Sequence, residues 1–111
     1  MTDLTQQKCV PCEGNAMPLN QIEAEVMLKN IEDWVLAFDS KSISRKFIFS
    51  DFKRALAFVN KVGEIAEVEQ HHPDIHLVDY KFVEVVLSTH AIDGLSQNDF
   101  IVAAKISEIQ N

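Results

Sequence analysis

The rhythm of apolar positions changes several times along this chain, and each change predicts an element. Residues 1 to 18 hold Pro11, Gly14 and Pro18 and show no period, so they read as an irregular leader. Beyond them Ile22, Val26 and Ile31 recur at near-helical spacing behind Asn20 and Glu23, a capping-box pair, which predicts a helix over residues 21 to 31. Trp34 ends that rhythm. The run 34 to 38 and the alternating Ile43, Arg45, Phe47 and Phe49 flank the polar Asp39-Ser40-Lys41, the pattern of an antiparallel hairpin. Ser50-Asp51 then opens a long helix over 51 to 69, with Phe52, Ala55, Val59, Val62 and Ala66 on one stripe. Pro73 disfavours helical geometry at the residue before it, so His71-His72 falls at the helix end. A short strand over 74 to 78 and a stronger one over 80 to 88 follow. Gly94 breaks the chain, and Ser96 with Asp99 caps a last helix whose stripe is Phe100, Ala103, Ala104 and Ile106.

The predicted order is therefore α-β-β-α-β-β-α. Strands joined by short turns pair antiparallel, and helices with one apolar stripe must cover one face of the sheet they make. The expected fold is α+β: two layers, a four-stranded antiparallel sheet with helices on one face, forming a single domain over residues 19 to 111 behind the leader. A chain of 111 residues suffices for one such core.

Composition narrows the function classes. A hydrophobic share of 47 % with 24 % charged residues is that of a globular protein, and no run of about 18 apolar residues exists to span a bilayer. The first residues lack the basic and apolar regions of a secretory signal, so a cytoplasmic location is expected. A formal net charge of −7 repels phosphate backbones and anionic headgroups, which argues against nucleic acid and membrane as direct partners. Cys9-Val10-Pro11-Cys12 supplies two of the four ligands that a structural zinc wants, and reads as part of the tail.

All four histidines lie between positions 71 and 90, and histidine is the side chain whose ordinary pKa, about 6.5, sits nearest working pH. His71 and His72 end a helix while His90 follows Ser88-Thr89 at the end of the strongest strand, so two element ends can converge on one pocket. His76 stands apart. Duller readings exist for the neighbours: Asp99 has a capping role toward Ser96, Glu67 suits a solvated helix face, and Phe47, Phe49, Phe52 and Phe58 suit core packing. The histidines with Asp74, Asp79 or Glu67 contain enough ligands for a metal. Adjacent residues in a regular chain rarely aim at one ion, however, and Pro73 interrupts the His72 to His76 spacing that a helical zinc pair would need. No phosphate loop or nucleophile elbow is present. Proton transfer remains.

Glu67, then His71-His72-Pro73, then Tyr80, His90 and Asp99 together resemble the pterin-4a-carbinolamine dehydratase family, whose pattern is a carboxylate four residues before His-His-Pro, an aromatic after it, a third His and a downstream Asp. The resemblance covers about residues 19 to 109. It implies dehydration of 4a-hydroxytetrahydrobiopterin or a related pterin to quinonoid dihydropterin, recycling the cofactor of an aromatic amino acid hydroxylase. It implies His71 and His90 as acid and base groups, exchanging roles between substrate stereoisomers, and His72 as the residue that orients the pterin. Glu67, Gln70, Ser88, Thr89 and Asp99 would bind substrate. No metal or other cofactor is implied, and a dimer or tetramer is expected. Some relatives carry Trp where Ile75 stands and a different residue at Gln70, which leaves pocket detail there open. Animal members also assist dimerisation of a transcription factor; a protein-binding module of that kind is the alternative reading.

Overall fold

The computed structural model describes residues 3–10 and 16–109, so Cys12 lies outside the described part. Three α-helices, α1 (Gln21–Leu28), α2 (Phe52–Glu69) and α3 (Gln97–Ser107), accompany four strands, β1 (Val35–Leu36), β2 (Ile43–Ile48), β3 (Asp74–Val78) and β4 (Phe82–Leu87). The strands form one antiparallel sheet in the order β1-β2-β4-β3. The α+β architecture expected from the apolar rhythm is the one observed. Among the described residues no helix is long and apolar enough to cross a membrane.

Register explains which side of the sheet is buried. Ile43 pairs with Leu87 and Phe47 with Val83, so these side chains share one face, and Ile75 and Leu77 of β3 join them across Val85 and Val83. This face meets α2 through Ala55, Phe58 and Val62 and α3 through Phe100, Val102, Ala103 and Ile106, all in one hydrophobic cluster. Phe58 is central, with ring centroids 4.5 Å from Phe47 and 5.0 Å from Phe49. The opposite face carries Ser44, Lys46, Asp74, His76 and Glu84 and is turned away from the helices.

The first strand of the hairpin, expected over 34 to 38, is confined to Val35–Leu36, and other features differ from expectation for physical reasons. The strand expected from residue 80 starts at Phe82, because Asp79 and Tyr80 both take positive φ (49° and 54°) and, with Lys81, make the three-residue turn that joins β3 to β4. The first helix stops at Leu28 and does not bury Ile22 and Val26, which are 73 % and 55 % exposed. It packs instead through Ala24, Met27 and Leu28, followed by buried Ile31, a fuller helical stripe whose small first member lets the helix approach closely. Phe52, at the first position of α2, is half exposed, and the buried stripe begins at Ala55.

The caps follow the sequence signals. Asn20 and Glu23 form a reciprocal capping box, as do Ser96 and Asp99, and Asp51 accepts a hydrogen bond from the Arg54 N–H. At the other end of α2, Gln70 turns left-handed (φ 54°, ψ 40°), and the N–H groups of Gln70 and His71 both reach the Ala66 carbonyl. A non-glycine residue in this conformation costs about 1 to 2 kcal/mol. The Gln70 amide partly offsets that by donating to the Glu67 carbonyl, 2.6 Å away. The leader is not loose where it is described: residues Leu4–Gln6 make a 3₁₀ turn, and Leu4 is buried in the common core.

Candidate active site

The left-handed turn at Gln70 sends the two consecutive histidines in different directions. His71 points inward, with a side chain 11 % exposed, and its Nε2 lies 2.6 Å from Oδ1 of Asp99. His72 points outward, 58 % exposed, and its Nε2 lies 2.5 Å from Oε2 of Glu67, one turn back on α2. The pair therefore does not converge on one ion, and among the described residues no three His, Cys, Asp or Glu side chains form a metal-holding cluster.

Asp99 is fully buried, and both of its carboxylate oxygens are occupied. Oδ2 accepts the Ser96 N–H at 3.0 Å, which is the capping bond, and the Thr89 hydroxyl at 2.8 Å. Oδ1 faces His71. Capping and histidine contact are thus one arrangement: the helix start fixes the carboxylate, and the carboxylate fixes the imidazole. Thr89 comes from the chain just after β4, where it bridges back to Gly94 through N–H to O contacts of 2.7 and 3.4 Å. That bridge closes the short 3₁₀ turn His90–Ile92. Gly94 is required there, because a Cβ would stand 2.6 Å from the Pro18 side chain.

These element ends enclose an open cavity of about 530 Å³. The end of α2 supplies Gln70, His71 and His72, and the end of β4 supplies Ser88, Thr89 and His90. Of the residues singled out from sequence, Glu67 stands at the rim behind His72, and Asp99 stands behind His71 with no exposed surface. His90 is exposed, and its ring has no hydrogen-bond partner among the described residues. His76 is on the outward sheet face beside Glu84, lining a separate hollow with Ile48, Val78 and Phe82. Tyr80 sits in the turn at the far end of the β3-β4 hairpin from the cavity.

Sequence reasoning missed six residues that line the cavity: Cys9, Val10, Val68, Glu69, Ala91 and Asn98. Burial, with the Glu69 carboxylate adding to it, pushes the Cys9 thiol up to about 12, so it stays protonated. Glu69 itself is held below the usual carboxylate range: burial opposes its charge, but Lys105 Nζ at 2.7 Å and the Cys9 N–H at 2.9 Å outweigh that.

Buried histidine-carboxylate pairing at the mouth of an open cavity, on helix and strand ends of a two-layer α+β domain, defines a candidate acid-base site for a small molecule. The family model for pterin 4 alpha carbinolamine dehydratase matches residues 17–109. A protein of Halorhodospira halophila, provisionally named pterin-4-alpha-carbinolamine dehydratase, is 48 % identical over 106 residues, covering 96 % of each chain. The crystal structure of a transcriptional coactivator/pterin dehydratase from Brucella melitensis superposes with a TM-score of 0.75 at 30 % identity, over 81 % of this chain and 95 % of that one. A pterin dehydratase-like protein identified as a RuBisCO assembly factor in the alpha-carboxysome has a TM-score of 0.58 over 68 % of this chain and 86 % of its own. At 18 % identity it shares the fold alone. The chain belongs to the pterin-4a-carbinolamine dehydratase family.

Proposed function

We propose that this protein dehydrates 4a-hydroxytetrahydrobiopterin or a closely related pterin carbinolamine, releasing water and quinonoid dihydropterin. The reaction breaks the bond between C4a and its hydroxyl oxygen. It needs a proton delivered to that oxygen and removal of the proton on ring nitrogen N5, whose electron pair then closes the new double bond. Two positioned acid-base groups suffice, each worth about 10²- to 10⁴-fold.

The observation that carries this reading is the His71–Asp99 pair at the wall of a cavity that His90 also lines. Oδ2 of Asp99 already accepts two donors, which leaves Oδ1 for His71; in this reading Oδ1 accepts from the Nε2–H and the lone pair is on Nδ1. That tautomer is ready to take a proton and, once charged, is stabilised by Asp99. His90, exposed and without a partner among the described residues, serves in this reading as the second group, and the two exchange acid and base roles between substrate stereoisomers. His72, steered by Glu67 at the rim, orients the pterin, while Gln70, Ser88 and Thr89 line its pocket. Asp99 assists through His71 and does not itself touch substrate.

In this reading the protein restores the pterin used by an aromatic amino acid hydroxylase and works as a dimer or tetramer. The test is a hydroxylase assay limited by carbinolamine breakdown, run with and without the protein. Faster loss of the carbinolamine absorbance is expected; an unchanged rate overturns the reading.

A further inference from the structure

We propose that Cys9 and Val10 form one wall of the pterin site, and that Asn98 and Glu69 are the positioning residues that hold this wall against the histidines. The inference rests on the pterin reading above and extends it to a segment outside the matched family region, which begins at residue 17.

Docking of this segment is specific and double-sided. The Val10 N–H donates to Asn98 Oδ1 at 3.0 Å, and Asn98 Nδ2 donates to the Val10 carbonyl at 2.6 Å, so the amide pairs with the backbone in both directions. Asn98 is 4 % exposed. Such an amide placed inside a protein without partners would cost about 1 to 3 kcal/mol, which makes the pairing directional where apolar packing would not be. One residue earlier, the Cys9 N–H donates to Glu69 Oε1, while Lys105 neutralises the other Glu69 oxygen in an ion pair whose side chains are 6 % and 19 % exposed. Leu4, buried in the core, anchors the segment from the other side.

The two holders sit beside the acid-base machinery. Glu69 lies two residues before His71 on the end of α2, and Asn98 directly precedes Asp99 at the start of α3. The same two element ends therefore set both the His71–Asp99 pair and the Cys9–Val10 segment. Cys9 and Val10 line the same cavity as His71, His72 and His90. A protonated thiol and a valine make an uncharged surface. That suits the flat, neutral ring of a pterin and offers no competing base.

The test uses the full chain and two variants. Val10 is 65 % exposed, so Val10→Trp narrows the cavity with little consequence for folding, and Asn98→Ala releases the segment. Steady-state dehydration is read alongside calorimetric binding of 7,8-dihydrobiopterin, which lacks the 4a-hydroxyl. Both variants should raise KM and Kd about tenfold while kcat stays within about twofold, the signature of lost ground-state binding. Folded Val10→Trp protein with unchanged KM and Kd overturns the wall, whatever becomes of Asn98→Ala. Wild-type protein that neither dehydrates the carbinolamine nor binds the dihydropterin overturns the pterin reading itself, and the wall with it.

Discussion

His71 and His72 are neighbours in sequence but occupy opposite regions of the site, an inner wall and an outer rim. The inner pair, His71 with Asp99, joins residues 28 apart in the chain, and its carboxylate is fully buried and fixed by Ser96 and Thr89. The outer pair, His72 with Glu67, spans five residues, and both side chains are more than half exposed. Water screens the outer pair, so it is worth about 0 to 1 kcal/mol and can do little more than bias a rotamer. Inside, a desolvated acceptor fixes both the tautomer and the direction of the imidazole. Two identical side chains thus acquire different chemistry from their surroundings, and the left-handed residue Gln70 makes the separation.

The largest expected effect is at the inner wall. His71→Ala and His90→Ala should each lower kcat by about 10- to 10⁴-fold, read by single-turnover dehydration. Asp99→Asn keeps the shape but replaces an acceptor by a donor facing the Thr89 hydroxyl, the Ser96 N–H or His71. It should lower kcat at least about tenfold and stability by about 1 to 3 kcal/mol, read by kinetics and urea denaturation. At the rim, His72→Ala should raise KM more than it lowers kcat; a loss confined to kcat would erase the distinction between the two histidines. His76→Ala, on the outward face of the sheet, should leave kcat and KM within about twofold of wild type.

A smaller effect concerns pH and stability. The Glu69 carboxyl is held below its ordinary 4.5, with Lys105 and the Cys9 N–H and thiol facing it. Its stabilising contribution is therefore complete above about pH 4.5 and is lost as pH falls through the lower folded value. Thermal melts between pH 7 and pH 3 should show a smaller decline in Tm for Glu69→Gln than for wild type.

Where contacts are local or periodic, the sequence made them readable. The capping boxes at Asn20 and Ser96 and the inward stripe of β4 depend on residues a few positions apart, and Pro73 marks the end of α2. Clustering of the histidines between a helix end and a strand end pointed to one region of the molecule. Other features depend on contacts that spacing does not encode. Asp99 could be read as a cap, but its contact with His71 appears only when α3 is packed beside the end of α2. The buried face of α1 does not follow from apolarity alone: Ile22 and Val26 are more apolar than Ala24, but close packing favours the smaller residue. The leader's contacts bridge 60 and 88 residues, and nothing in its composition announces that Cys9 and Val10 meet Glu69 and Asn98.

The most direct test of the central claim is single-turnover dehydration of the pterin carbinolamine by wild-type and His71→Ala protein across pH 5 to 9. Circular dichroism should first establish that both are folded. The account predicts rapid wild-type dehydration and a His71→Ala rate at least about tenfold lower, with the substrate still bound. Equal rates for the two folded proteins would contradict it.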